Sequence, residues 1–294
     1  MKILFIGCVE SSYQLLNTLL ENKKEVVGVI TKGASKFNSD YKSLIPLCEQ
    51  NQIPYLLAEN SDEDGMVSFV QECNADVGYC FGWSYLISQR VIDLFPQGML
   101  GFHPAALPNN RGRHPVVWAL ALGLSETAST FFKIDEGADT GDIISQVPIT
   151  IDYEDDAQDL YDKVMAVANK QIIEFTNGLE DGTLVPRKQP AEGNSWRKRG
   201  KADGCIDWRM STRAIYNLVR SVTHPYVGAH LEYNGGEYKV WKVAEYPGEG
   251  YENIEPGKVL AIYNDGSIDV KAYDGIIRLL DFETMDVEEG AYLG

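Results

Sequence analysis

Over the first hundred residues, short apolar runs alternate with stretches of helical spacing. Four consecutive apolar residues at 3–6 and the β-branched run within 25–31 are too short for helices and read as buried strands. Between them, Leu15, Leu16, Leu19 and Leu20 share one helical face, and Ser11 or Ser12 can cap that helix. The same spacing predicts a helix over 41–51, a strand over 54–57 and a helix over 62–73, whose acidic first turn suits the helix dipole. Further strands are predicted over 75–81 and 98–102. Strand–helix–strand alternation implies an α/β domain with a Rossmann-like, mostly parallel sheet and helices on its faces.

The pattern continues with a helix over 115–122, opened by Pro115, and strands over 128–134 and 143–149 around an acidic loop. A long helix over 155–178 places Leu160, Val164, Val167, Ala168, Ile172 and Phe175 on one side. Residues 186–204 lose this periodicity and are rich in Pro, Gly, Asn, Lys and Arg, which predicts a linker. A helix over 211–222 follows. Strands over 226–233, 238–243, 257–263, 268–272 and 276–282, separated by Gly-containing turns, predict a small carboxyl-terminal β-rich domain of OB-like, antiparallel form. The expected division is therefore a domain over 1–186, a linker over 187–204 and a second domain over 205–294.

Composition narrows the function classes. The chain has 294 residues and 44% hydrophobic content. No apolar run approaches the ~20 residues that span a bilayer. The apolar start lacks a cleavage-site pattern and reads as a first strand, so a cytoplasmic protein with no membrane partner is expected. Cys8, Cys48, Cys73, Cys80 and Cys205 are scattered without C-x-x-C spacing, as reduced packing residues are. The four histidines lack zinc-enzyme spacing, so no metal is expected. A net charge of -17 repels polyanions, which argues against a nucleic-acid partner. Arg187, Lys188, Arg197, Lys198, Arg199 and Lys201 form a local exception. They are either a solvated linker or a grip for a phosphate-bearing substrate.

Two segments carry candidate chemistry. His103 ends a predicted strand, and Pro104 holds it extended at the edge of the sheet where ligands gather. It is either a satisfied structural histidine or a fixed proton carrier. The loop 135–142 has four acids and two glycines without calcium-loop spacing. An acid there can stand beside His103 and accept a proton, and Gly137 and Gly141 allow close approach of a ligand. Neither a dinucleotide-type glycine fingerprint, a Walker sequence nor a serine elbow is present.

Four segments together resemble the folate-dependent formyltransferases, a family that includes methionyl-tRNA, glycinamide ribonucleotide and sugar N-formyltransferases. They are 82–87, Gly101-Phe102-His103 with Leu107-Pro108, Arg111-Gly112-Arg113, and 135–142. Residues 205–208 and 224–228 resemble the start of the carboxyl-terminal domain of the tRNA and sugar members. The resemblance implies 10-formyltetrahydrofolate as co-substrate, His103 and Asp139 as catalytic residues, and a homodimer as the family expectation. It implies a folate pocket formed by Trp83, Ser84, Tyr85, Leu86 and Ile87 with Asp135 and Gly137. Plain core packing is the other reading of Trp83 and Tyr85. The family's usual Asn is Gly101 here, and its usual Ser is Ala105. Either His103 then does more, or a backbone N–H, a water, Asn109 or Asn110 supplies the missing donor, and the space at Gly101 is assigned to substrate. Arg111 and Arg113 resemble the sugar branch and imply a grip on phosphate. The favoured substrate is thus the amine of a nucleotide-linked amino sugar for surface glycan synthesis. The alternatives are a methionyl-tRNA formyltransferase and a catalytically inactive folate- or sugar-nucleotide-binding member.

Overall fold

A computed structural model describes residues 1–34, 40–58 and 63–294. In chain order the described elements begin with β1 (Ile3–Ile6), α1 (Glu10–Glu21), β2 (Val26–Thr31), α2 (Ile45–Gln50), β3 (Tyr55–Leu57), α3 (Glu63–Cys73) and β4 (Val77–Cys80). They continue with α4 (Gln89–Ile92), β5 (Met99–His103), β6 (Arg111–Gly112), α5 (Pro115–Ala121), β7 (Glu126–Lys133), β8 (Ile143–Thr150), α6 (Ala157–Glu180) and β9 (Ser195–Trp196). The remainder is α7 (Thr212–Ser221), β10 (Ala229–Tyr233), β11 (Gly236–Pro247), β12 (Val259–Ile262), β13 (Ile268–Lys271) and β14 (Gly275–Phe282).

The chain forms two compact units interleaved in sequence. One comprises Met1–Gly112, Ala128–Ile149 and Lys163–Ser195, and the other Arg113–Thr127, Thr150–Asp162 and Trp196–Gly294. Residues 187–195, within the predicted linker, belong to the first unit, and α5 belongs to the second.

The first unit is built on a sheet of order β3-β2-β1-β4-β5-β7-β8. β1 is buried along its whole length, as a central parallel strand covered on both faces must be. The pairs β1–β2, β1–β4, β2–β3 and β4–β5 are parallel, whereas β7 runs antiparallel to β5. A parallel neighbour needs a crossover helix over the same sheet. The helix between β5 and β7 is α5, which belongs to the other unit. Phe81, Phe131, Phe175 and Tyr79 pack as tilted and edge-on rings 4.8–5.7 Å apart at the heart of this unit.

Several boundaries differ from the sequence reading. α1 starts at Glu10, so Ser11 and Ser12 lie inside its first turn. Ser12 Oγ accepts from Val9 N and donates to Phe81 O at 2.6 Å, tying the helix start to the end of β4. The predicted helix over 41–51 shortens to α2, which opens with Pro at its first turn, where a missing N–H costs nothing. Asp62, expected to open α3, lies outside the described residues.

The second unit holds an antiparallel sheet of order β10-β11-β14-β13-β12, the expected β-rich domain. α7 is capped by Ser211, whose Oγ accepts from Ala214 N at 3.2 Å. Its Ile215, Leu218 and Val219 join Trp208, Leu231, Val240, Ile277 and Leu279 in one core. Arg220, also on α7, is buried and donates from Nη1 to the carbonyls of Asp152, Tyr153 and Asp155. Among the described residues, no helix is long and apolar enough to cross a membrane.

Candidate functional site

His103 is the last residue of β5 and is 5% exposed. The loop after it is pinned from below. Thr130, opposite His103 in the register, donates to Ala105 O at 2.6 Å. Gln146 Nε2 donates to Leu107 O and to Thr130 Oγ1. The loop returns Asn110 to the histidine, and His103 Nε2 lies 2.7 Å from the Asn110 carbonyl oxygen. A carbonyl only accepts, so this contact puts a proton on Nε2. Nδ1 then faces Asp139, whose Oδ2 is 3.7 Å away. The expected histidine–aspartate pair is thus assembled, slightly beyond hydrogen-bond length.

Asp139 has φ +57°, a left-handed conformation that side-chain-bearing residues seldom adopt. Its Oδ2 accepts from Gly112 N at 2.9 Å. Asp135 Oδ1 accepts from Gly137 N and from Thr140 Oγ1, so it folds the loop on itself. A Cβ at Gly141 would stand 1.8 Å from Lys133 O, and one at Gly137 would stand 2.0 Å from Thr140 Oγ1. Both glycines permit close approach, but of the chain's own backbone and side chains, Gly137 to Thr140 of the loop and Gly141 to the end of β7, where the sequence reading gave that room to a ligand.

Gly101 requires a correction. Its cross-strand partner on β7 is Phe132, and a Cβ at 101 would meet that ring at 2.7 Å and Ile134 at 3.2 Å. The space left by the missing Asn side chain is filled by a buried phenylalanine and is not open to substrate. Arg111 also differs from expectation. Its Nη2 donates to Gln189 Oε1 at 3.0 Å and to Pro190 O at 3.3 Å, so part of its fork is already held, while Nε is buried with no hydrogen-bond partner among the described residues. Arg113 is exposed and belongs to the second unit.

Trp83, Ser84, Tyr85, Leu86 and Ile87 follow the carboxyl end of β4, which pairs in parallel with β5. They therefore rise at the same sheet edge as His103. Trp83 and Ile87 pack on a core of Leu4, Met66 and Val91, among others. Lys32 Nζ sits 3.8 Å from the Tyr85 ring centroid, a close cation–π contact. Leu86 is 98% exposed, an apolar side chain left uncovered among the described residues.

Two residues of this site carried no signal in the sequence. Gln189 is 8% exposed, and its Nε2 donates to the carbonyls of Asp139 and Gly141. Asn194 Oδ1 accepts from Asn110 N at 2.9 Å. Both lie in the stretch read as a linker, where no periodicity marks a residue that meets partners about fifty or eighty positions away.

In the second unit, two members of the basic stretch, Arg197 and Arg199, meet at one ring. The guanidinium carbons of Arg197 and Arg199 stand 5.2 and 4.9 Å from the Trp118 centroid, and Trp118 Nε1 donates to Arg197 O. Burial, then Arg199, Arg113 and Lys198, hold His114 below its ordinary range. Asp203 neutralises one member through a two-point pair with Arg197. Burial pushes the thiols of Cys8 and Cys48 up to about 11, as inert packing cysteines require. Among the described residues, no group of three or more His, Cys, Asp or Glu could hold a metal.

The family described as Formyl transferase matches residues 1–176. This chain belongs to the formyl transferase family. The carboxyl-terminal domain of that family matches residues 198–289. Formyl transfer is accordingly its reaction class, and the residues that suggested the family in the sequence lie within the matched ranges. The methionyl-tRNA formyltransferase of Geobacter metallireducens is 29% identical over 288 residues, covering 96% of this chain and 91% of that protein. The crystal structure of the N-formyltransferase from Helicobacter canadensis, in complex with folinic acid and dTDP-3-aminofucose, has a TM-score of 0.73 at 18% identity, over 96% of this chain and 100% of that one. HypX from Aquifex aeolicus has a TM-score of 0.68 at 20% identity, but this chain spans only 43% of its length. At these identities the two solved structures establish a shared fold.

Proposed function

We propose that this formyltransferase takes its formyl group from 10-formyltetrahydrofolate and passes it to the amine of a nucleotide-linked amino sugar, a step suited to surface glycan synthesis. The formyl family and the folate ligand of the Helicobacter canadensis relative support the donor. The loop 82–87, with Leu86 uncovered, is the place for the pterin. The amine attacks the formyl carbon, and negative charge grows on the formyl oxygen. Collapse breaks the bond to N10 of the folate, which takes up a proton, while the amine loses one. The products are a formamide and tetrahydrofolate. His103 and Asp139 carry the proton between these nitrogens through Nδ1, since Nε2–H is already held by the Asn110 carbonyl.

The substrate reading rests on one observation. In a chain of net charge -17, Arg197 and Arg199 stand over the Trp118 ring, Arg199, Arg113 and Lys198 act on His114, and Asp203 pairs with Arg197. A cluster this small suits a diphosphate and a base to stack on, not the backbone of a tRNA. The relative that binds dTDP-3-aminofucose supports the same reading. The second reading, a methionyl-tRNA formyltransferase, is favoured by the name of the Geobacter relative.

The test is to incubate the protein with 10-formyltetrahydrofolate and a panel of nucleotide amino sugars and methionyl-tRNA, detecting formamides by mass spectrometry. A formylated amino sugar, lost in His103→Ala, is the expected result. Formylated tRNA without formylated sugar overturns the substrate, and undiminished turnover by His103→Ala overturns the catalytic pair. Ligand binding with no turnover on any amine identifies an inactive member.

A further inference from the structure

Segment 187–195 bonds directly to Asp139 and, through Asn110, reaches His103. Gln189 Nε2 donates to Asp139 O at 3.0 Å and to Gly141 O at 2.6 Å, while its Oε1 accepts from Arg111 Nη2 at 3.0 Å. Both amide hydrogens and the amide oxygen of this buried side chain are therefore in use. On the other side, Asn194 Oδ1 accepts from Asn110 N, and Asn194 O accepts from Arg111 N. Asn110 is the residue whose carbonyl oxygen accepts from His103 Nε2. Gly193 lies so close to this loop that a Cβ would stand 2.2 Å from Pro108 O.

We propose that this segment is a positioning strap for catalysis, and that Gln189 sets the Asp139 carboxylate against His103. The inference rests on the reading of His103 and Asp139 as the catalytic pair. Asp139 is fixed at two points. Its carboxylate accepts from Gly112 N, and its carbonyl accepts from Gln189. Gly112 follows Arg111, which is tied to the same glutamine. One amide thus joins the strand that supplies the Gly112 donor to the loop that supplies the carboxylate. It also satisfies the carbonyl of a residue held at φ +57°, where a loop without that bond would relax. Asn194 does the same for His103 through Asn110.

Gln189→Glu separates positioning from packing. It keeps the size and the acceptor for Arg111 but turns an oxygen towards two carbonyls. The expected result is a kcat lower by about 10–100-fold, as for a reacting group displaced by about 1 Å, with KM for donor and amine nearly unchanged. In an Asp139→Asn background the same change should cost nothing further, because both act through one carboxylate. Wild-type kcat in Gln189→Glu, with turnover lost in Asp139→Asn, overturns the strap alone. Losses that multiply in the double variant overturn it as well. Full activity in Asp139→Asn overturns the catalytic pair and the strap with it. Should Gln189→Glu fail to fold, the exposed Asn194 decides. Asn194→Asp keeps its acceptor and should keep its kcat, whereas Asn194→Ala should lose it; equal kcat in the two overturns the proposal.

Discussion

At Gly101 a residue that looked like a missing donor is a matter of packing. β5 pairs with β7 so that Phe132 lies opposite Gly101, and the ring occupies the position of any side chain there. Restoring the family's asparagine should therefore overpack the site. Gly101→Asn is expected to lower stability by about 1–3 kcal/mol and to leave kcat no higher. Thermal denaturation and turnover of the same preparation check this, and a faster enzyme with an unchanged melting temperature refutes it. His103, and an acid of loop 135–142 beside it, were legible because their residue types suit proton transfer and Pro104 and Gly141 are stiff or permissive; only the family resemblance singled out Asp139 among the four acids. Phe132 was not, since a cross-strand partner depends on register, which local spacing does not reveal. Gln189 escaped for the same reason, its partners being distant in the chain.

At the scale of elements, the acidic loop 135–142 works as a closed unit. Asp135 accepts from Gly137 and Thr140, and Gly141 passes against the Lys133 carbonyl with no room for a Cβ. The obstacle is backbone, which cannot swing aside. Gly141→Ala should therefore force the loop open and move Asp139 away from His103. Turnover is expected to fall by about two orders of magnitude while the far-ultraviolet circular dichroism stays native. An alanine variant with native kcat would show that the loop tolerates a shift at this point. The long α6 and the buried β1 were plain from periodicity and apolar runs. α4, of four residues, and the two-residue β6 and β9 were not, because such short pieces contain too few residues to display a period.

Across the whole molecule, ionisation links the carboxyl-terminal sheet to pH. His230, buried on β10, is held below its ordinary value chiefly by burial, with Lys239 and Lys201 adding to the shift and Glu237 and Glu232 opposing it. A histidine depressed in the folded state is protonated more readily when unfolded. Its contribution to stability is full above the unfolded value of about 6.5 and is lost as pH falls through the folded value. Melting temperature should drop between about pH 7.5 and about pH 5, and His230→Asn should flatten that part of the curve. Equal slopes in the two proteins would remove His230 from the account. The sequence alone determined the two kinds of sheet, the position of His103 at a strand end, the acidic glycine loop and the surplus of negative charge. These depend on local spacing and on composition, which a linear chain displays directly. Only the tertiary structure decided that Phe132 fills the space at Gly101, that α5 joins the second unit and that residues 187–195 strap the site. Those outcomes are contacts between residues far apart in the chain, set by which strands pair and in what register, and no local pattern carries that information.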